Sequence, residues 1–329
     1  MKRSEAGGVK DVKITACAKA LPERIVTNDH LTQIMDTSDE WIRTRTGIRQ
    51  RHLSTGENTS DLASKVATKL LRQAGLAASE LDLLVVATMS PDSQTPSVSN
   101  LVQAQIGAVN AVCFDLSAAC SGFVYALTAA RSLMLTLQKK TALVIGAEVL
   151  SKLLDWQDRS TAVLFGDGAG GVLLEASQDA HFLAQTLTSF GESAQAIVAG
   201  ANPAGKFPQT VLQHSPFTMD GRKVYHFATH QVPQLIAATA EEAGIELAQI
   251  DWFLLHQANR RIIEQVAKRL DLPLAKFPMN IQTVGNTAAA SEGILLADCL
   301  ADGLIKPGQT VMMCGYGGGL SVGCCLVKF

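Results

Sequence analysis

A cysteine stands among small residues in Asp115-Leu-Ser-Ala-Ala-Cys120-Ser-Gly122-Phe, after an apolar run and before a helical pattern from Phe123 to Leu137. Amides at a helix start, with the helix macrodipole, favour the thiolate, which is the nucleophilic form of this side chain. The small neighbours leave room for a substrate to reach the sulfur. A buried, inert thiol is the alternative for any lone cysteine, because free cysteine is among the most buried residue types. Two other polar residues bear on the choice. His256 ends the strand-like run Asp251-Trp-Phe-Leu-Leu-His256, and Asn286 lies in the turn Gly285-Asn-Thr287. Alone, the first reads as a core histidine and the second as a turn former. Together with a helix-start cysteine they suit nucleophilic catalysis at sulfur.

The elements that must position these three fall into a repeat. A shift of 169 residues takes Ala74-Gly75 to Ala243-Gly244, Asp82 to Asp251, Ala119 to Ala288, Thr141 to Thr310 and Gly146 to Gly315. Beyond that point Gly171 aligns with Gly323 at a shift of 152, so the first half carries an extra loop near Val149 to Arg159. The chain thus divides into an N-terminal half, 1–180, with the cysteine, and a C-terminal half, 181–329, with the histidine and asparagine. Strands alternate with helices in both halves, which implies parallel or mixed sheets with helices on their faces. His256 answers to Ala87 and Asn286 to Ser117. Cys120, His256 and Asn286 are therefore expected at strand ends or helix starts around one pseudo-symmetric cleft.

In the first half, strands are expected at Val12–Cys17, Leu83–Thr88 and Ala142–Gly146, the second a continuous apolar run suited to burial on both faces. Helices are expected at Asp29–Met35, at Thr59–Ala74 with a stop at Gly75, and at Val98–Ile106. Thr161 to Glu175 reads as two strands around a glycine-rich bend; no Lys-Ser/Thr follows, so it is not a phosphate loop. The second half reads as a helix Val224–Ala243 kinked at Pro233, a helix Asn259–Leu270, a turn Thr283–Asn286 and a helix Ala288–Leu304. Then come a strand Gln309–Cys314, a turn Gly315–Gly319 and a strand Ser321–Val327. The stretch from Thr37 to Arg51 is rich in arginine and carries Trp41. It reads either as a solvated loop or as a surface for phosphate and a planar ring.

Composition excludes several classes. A net charge of −2 over 329 residues argues against a nucleic-acid binder. The apolar runs are strand-sized, so no membrane span is expected. Seven cysteines without a C-x-x-C spacing fit reduced cytoplasmic thiols better than disulfides or a zinc site, and no metal is expected.

Seven segments, in order along nearly the whole chain, resemble the β-ketoacyl-acyl-carrier-protein synthase III family, the initiating condensing enzymes of type II fatty acid synthesis. They are Thr37 to Arg49, Ala118-Ala-Cys120-Ser-Gly122, Asp158-Arg-Ser-Thr161, Phe165-Gly-Asp-Gly-Ala-Gly170, His256-Gln-Ala-Asn259, Gly285-Asn-Thr287 and Tyr316-Gly-Gly-Gly319. The resemblance implies a thiolase-like fold, two α/β halves in αβαβα layers, acting as a homodimer. It implies that Cys120 takes an acyl group from acyl-CoA as a thioester, and that malonyl-acyl carrier protein then loses carbon dioxide and attacks it. His256 and Asn286 would stabilise the enolate. The backbone N–H groups of Cys120 and Gly318 would form the oxyanion hole. Coenzyme A would lie against Thr37, Trp41, Arg45, Arg159, Gly221, Tyr225 and Asn259, with Trp41 and Arg159 sandwiching adenine. Thr95, Leu164 and Phe165 would bound the acyl pocket. Gln257, Ala258, Asn259, Arg260 and Arg261 would dock the acidic carrier, Arg261 above all. No cofactor is implied, since the CoA thioesters are substrates.

The chain departs from the family at Ala288, at Glu292-Gly293, at Val322 and at Thr95, where some members carry a phenylalanine that closes the neighbouring subunit's acyl pocket. Four other readings stay open at this level. A thiolase would need a second cysteine beside the glycine turn, where Cys314 is one residue out of place and on the opposite strand face. A cysteine hydrolase would need a Cys120–His256 ion pair. A non-catalytic binder would have no use for the three intact polar residues. A related condensing enzyme of a secondary pathway would share all the chemistry.

Overall fold

The structure, a computed structural model, describes residues 8–201, 203–205, 208 and 215–329. The first half runs β1 (Asp11–Ala20), β2 (Ile25–Thr27), α1 (Asn28–Leu31), α2 (Asp39–Thr46), β3 (Gln50–His52), α3 (Thr59–Ala74), β4 (Leu83–Ala87), α4 (Val98–Ile106), β5 (Val112–Leu116), α5 (Gly122–Leu137), β6 (Thr141–Glu148) and β7 (Gly168–Ser177). The chain continues through β8 (Phe182–Ser189), β9 (Ile197–Val198), β10 (Thr218–Met219), α6 (Gly221–Glu242), β11 (Trp252–Leu255), α7 (Arg260–Arg269), α8 (Ile281–Val284), α9 (Ser291–Ala301), β12 (Thr310–Gly317) and β13 (Ser321–Lys328).

Two mixed sheets carry the fold. One has the order β1-β7-β6-β4-β5 and the other β11-β12-β13-β8. Parallel pairs, β4 with β5 and β6, and β11 with β12, lie beside antiparallel ones. Side chains alternate across each strand. Leu83, Val85 and Ala87 of β4 and Val311 and Met313 of β12 enter one central core with Phe123 and Leu127 of α5 and Leu295 and Leu296 of α9. Leu84 and Val86 face α3 and α4 instead, and Met312 and Cys314 face α6 and α7. The result is five layers, αβαβα, with α5 and α9 sandwiched between the sheets.

The repeat is visible in hydrogen bonds. Thr141 N–H donates to Asp82 Oδ2 at 3.3 Å, and Thr310 N–H to Asp251 Oδ2 at 2.8 Å. In each half an aspartate just before one strand pins the start of its parallel neighbour. The halves differ after β6 and β12. Val149 to Asp167 forms a long connection, whereas Gly318 to Leu320 closes a tight hairpin. They differ again at β5, because the chain forms α8 where a fifth strand would recur.

Three expectations change. Thr161 to Phe165 is not a strand; only Phe165 makes a β-bridge, to Asn286. Its apolar residues wall a cavity instead of joining a sheet. Asp39 to Thr46 is a helix, started by Ser38 Oγ accepting from Trp41 N–H and stopped by Gly47 at φ +84°. Finally, Ala119 to Leu137 is long and apolar enough to cross a membrane by length and composition. Its residues form the central core described above, which accounts for that composition.

The two halves meet backbone to backbone. A Cβ on Gly146 of β6 would lie 1.9 Å from the Ala289 carbonyl oxygen. Gly146→Ala should therefore destabilise the protein by about 3 kcal/mol or more, at the upper end of overpacking costs. Gly191→Ala, with nothing within 4 Å of the added carbon, should be near neutral. Urea unfolding midpoints test this; equal midpoints for the two variants would refute the contact.

Candidate active site

Cys120 occupies a single 3-10 turn, Ala119–Ser121, immediately ahead of α5. Ala119 has φ +45°, and Ala288, its counterpart in the second half, has φ +41°. A left-handed alanine costs about 1–2 kcal/mol, so the surroundings must enforce it. Ser121 does so: its N–H bonds the Ala118 carbonyl, and its Oγ lies 2.7 Å from both that carbonyl and Ser321 Oγ. Across the sulfur runs the end of β12. A Cβ on Gly317 would stand 2.7 Å from Cys120 Cβ and 2.9 Å from Sγ, so only glycine fits. The N–H groups of Cys120 and Gly318 lie near enough to the sulfur to favour its anion.

Those amides do not make a resting thiolate, contrary to the expectation from the helix start. Burial, then the Glu148 and Glu292 carboxyls, push the Cys120 thiol up to about 12, and the two amides offset only part of this. Desolvation of a buried anion outweighs two hydrogen bonds here. Cys120 rests as a thiol.

His256 follows β11 and is 1% exposed. Its backbone N–H donates to the Cys314 carbonyl at 2.9 Å, and its carbonyl accepts from Tyr316 O–H at 3.0 Å. The imidazole meets the Tyr316 ring edge-on, with centroids 5.3 Å apart. Burial pushes its pKa down to about 3, so the ring is neutral and carries one N–H. Asn286 is clamped by its backbone: its N–H bonds the Leu164 carbonyl and its carbonyl accepts from Gly166 N–H, both at 2.9 Å. Its Oδ1 accepts from Ala288 N–H at 2.9 Å. That bond fixes the amide orientation and leaves the Nδ2 donor for a ligand.

Cys120, His256 and Asn286 line one cavity of about 270 Å³. Leu164 and Phe165 form its apolar wall, with Ile197, Phe217 and Met219, and the Phe165 and Phe217 ring centroids are 4.6 Å apart. Toward the rim lie Trp41, Arg45, Gly221, Tyr225, Ala258, Asn259 and Arg261. Asn259 also caps α7 through Oδ1 and holds the Arg45 carbonyl through Nδ2 at 3.0 Å. Cys314 points into the outer core, 3.2 Å from Cys324 Sγ, and does not share the cavity. Among the described residues, no group of three or more His, Cys, Asp or Glu could hold a metal ion.

Several expected contacts are not made. Thr37 does not line the cavity; its hydroxyl is buried without a partner. The Arg159 guanidinium rests 5.2 Å from the Trp41 centroid and bonds the Asp36 carbonyl at 2.6 Å. An intervening aromatic ring needs about 7 Å, two contact distances, so the sandwich is closed. Thr95 is exposed and outside the cavity of its own chain. Gln257 is fully buried: its Nε2 donates to the Leu255 carbonyl and its Oε1 accepts from Asn280 and Ile281, so it cannot dock a partner. Arg260 is held by Glu264 at 2.7 Å.

One acid was missed, and another, Glu292, stood out in the sequence only as a departure from the family pattern. Glu148 ends an apolar strand and accepts from Thr88, Met89 and Ser90; burial raises its pKa to about 7. A charge inside such a strand was the available signal. Glu292 is fully buried, with neither carboxyl oxygen hydrogen-bonded. It approaches the Gly315 backbone beside the Cys120 carbonyl and faces Cys314 and Tyr316, and burial drives its pKa well above the usual carboxylate range. Gly293 beside it is explained by contact: a Cβ there would lie 2.6 Å from the Gly170 carbonyl carbon.

Comparison with known proteins adds three findings. The family described as 3-oxoacyl-[acyl-carrier-protein (ACP)] synthase III matches residues 114–191, and its C-terminal counterpart matches 240–329. The β-ketoacyl-[acyl-carrier-protein] synthase III of Lactobacillus delbrueckii subsp. bulgaricus is 57% identical over 317 residues, 96% of this chain and 98% of that one. That of Limosilactobacillus reuteri is 53% identical over 324 residues, 98% and 100% of the two chains. The crystal structure of 3-oxoacyl-[acyl-carrier-protein] synthase III from Aquifex aeolicus superposes with a TM-score of 0.90 at 39% identity, covering 97% of this chain and all of that one.

The unpaired Glu292 carboxyl has a pH signature. Its folded-state pKa lies above the ordinary 4.5, so folding is most favoured at low pH, where the group is neutral in both states. As pH rises past 4.5 the unfolded chain releases the proton and the folded one does not, so stability falls. Glu292→Leu should therefore gain roughly 1–3 kcal/mol more at pH 8 than at pH 5 relative to the parent. Denaturation at the two pH values checks this, and an equal difference at both would contradict a neutral buried acid.

Proposed function

We infer that the chain, which belongs to the β-ketoacyl-acyl-carrier-protein synthase III family, is an acyltransferase that condenses an acyl-CoA primer with malonyl-acyl carrier protein and so initiates fatty acid synthesis. The observation that carries the reading is the convergence of Cys120, His256 and Asn286 on one cavity.

We propose the following roles. The Cys120 thiol attacks the acyl-CoA carbonyl, the carbon–sulfur bond to CoA breaks, and the thiol proton leaves with CoA. The N–H groups of Cys120 and Gly318 hold the tetrahedral oxyanion. Malonyl carrier then loses carbon dioxide, and the bond electrons pass to its thioester oxygen. The single N–H of neutral His256 and Nδ2 of Asn286 donate to that oxygen. The carbanion attacks the acyl-Cys120 carbonyl, the thioester bond breaks, and a proton from solvent restores the thiol. No resident cofactor is needed. A neutral imidazole beside a thiol also speaks against the hydrolase reading, which requires an ion pair.

For the substrates, we assign the CoA nucleotide end to Trp41 and Arg45, pantetheine to Gly221, Tyr225 and Asn259, and carrier docking to Ala258, Arg260 and exposed Arg261 on the rim. Arg159 must swing off Trp41 to admit adenine. We place the enzyme in the cytoplasm; all seven cysteines are unpaired. We also propose a homodimer. β5 is an outer strand whose Val112 is 52% exposed and whose other residues are only half-buried. A second copy pairing there would cover it and bring Thr95 to its neighbour's acyl pocket, with room for a longer or branched primer. Sedimentation equilibrium at micromolar concentration should give a dimer; a monomer removes that assignment.

The central test follows radiolabelled product from acetyl-, isobutyryl- and octanoyl-CoA with malonyl carrier. The parent should form 3-oxoacyl carrier and Cys120→Ala none. His256→Ala and Asn286→Ala should each slow decarboxylation by about 10²–10³-fold. Activity retained by Cys120→Ala, or free acid as the main product, would overturn the reading. Strict acetyl preference would remove the Thr95 assignment alone.

A further inference from the structure

Arg51 closes the arginine-rich stretch that the sequence offers as a binding surface, yet it is the largest fully buried side chain among the described residues. Its guanidinium meets only neutral oxygens. Nη1 donates to the Val26 carbonyl at 3.2 Å and to Asn28 Oδ1 at 2.9 Å, and Nη2 donates to the Val163 carbonyl at 2.7 Å. Nε is buried without a partner. None of the ion pairs among the described residues includes it. The carboxylate it reaches is one residue removed: Asn28 Nδ2 donates to Asp39 Oδ1 at 2.8 Å. Burying a cation without its counter-charge is expensive. Burial lowers its pKa only to about 10, so it is a cation at neutral pH.

What this charge holds is the floor of the site. The acceptor of Nη2 is Val163, next to Leu164, whose carbonyl takes the Asn286 N–H. Phe165 forms the bridge to Asn286, and Gly166 N–H closes it. The stem of Arg51 is wedged against both sides of that bridge. A Cβ on Gly166 or on Gly285 would lie 3.2 Å from Arg51 Cβ. One side chain thus touches the first-half segment and the second-half segment that together fix Asn286. Bonds from a charged donor are shorter and about twice as strong as neutral ones, which suits a group that must not drift.

We propose that Arg51 is a positioning residue for decarboxylation: by gripping the Val163 carbonyl and packing on Gly166 and Gly285, it fixes the Leu164–Asn286 bridge and so holds the Asn286 amide in register with the acceptor oxygen. It does not touch substrate. Cys120 lies in the turn ahead of α5 and Gly318 in the hairpin after β12, both outside this contact, so acylation should not depend on it. The inference rests on the proposed role of Asn286.

The two half-reactions separate the possibilities. Acylation of Cys120 by acyl-CoA is read by intact mass, and decarboxylation of malonyl carrier by labelled carbon dioxide, in the full chain with a melting curve for each variant. Arg51→Lys should lower decarboxylation by about 10–100-fold, the penalty of a misplaced group, and leave acylation within about threefold. Asn28→Ser, which loosens the guanidinium without removing it, should shift the ratio the same way by a smaller factor. Arg51→Met should exceed Arg51→Lys if it folds, and the other two variants carry the test if it does not. Equal loss of both half-reactions, or loss of neither while Asn286→Ala loses decarboxylation, overturns the inference alone. Decarboxylation retained by Asn286→Ala overturns the role of Asn286 and this inference together.

Discussion

Two backbones touch at the nucleophile. Gly315 and Gly317 of β12 lie so close to the Cys120 turn that no side chain could be inserted, and Gly146 of β6, the counterpart of Gly315, lies against Ala289 in the same way. These contacts are pseudo-symmetric: the shift of 169 takes Cys120 to Ala289 and Glu148 to Gly317. Each half therefore lays a strand end over the helix start of the other. The left-handed alanines at Ala119 and Ala288 are what this crossing demands of the turns beneath it. The site exists because the halves cross; neither half alone holds the sulfur, the glycine backbone above it and the Asn286 amide beside it.

The two crossings have been put to different uses. Over Cys120 runs a bare glycine backbone that leaves the amides of Cys120 and Gly318 directed at sulfur. Over Ala289 stands the Glu148 carboxyl, whose pKa the Ala289 N–H helps to lower against the effect of burial. The second crossing thus keeps a titratable carboxyl where the first can receive a transient negative charge. At the equivalent positions the halves differ, Cys120 against Ala289 and Gly317 against Glu148, and only the first crossing borders the cavity.

Electrostatically the resting site is quiet. The thiol, the imidazole and Glu292 are all neutral because burial penalises every charged form, and Glu148 sits near its own titration point. Negative charge arises only when substrate brings it, at positions already furnished with donors. This preorganisation suits enolate and tetrahedral chemistry, in which charge develops and is consumed within the site. The buried Arg51 fits the same pattern: a full charge is held away from substrate and spent on geometry.

Much of this was legible in the chain. The repeat register, the αβαβα class and the three polar residues of the cavity follow from periodicity, from paired residues such as Asp82 with Asp251, and from family motifs, all local or strictly periodic signals. Thr161 to Phe165 misled because an apolar run looks alike whether it joins a sheet or walls a cavity. Gln257 and Arg51 misled because polarity suggests exposure, whereas residues distant in sequence, Asn280 and Ile281 for the first and Val26, Asn28 and Val163 for the second, take up their hydrogen bonds. The charge states of Cys120 and His256, the isolation of Glu292 and the closing of Arg159 over Trp41 depend on desolvation and on distances across the chain. Residue order by itself determined which groups are present and on which face of which element they start. Only the packing of one half over the other decided which of them are dry, neutral and close enough to act, because burial and contact are properties of the assembled layers.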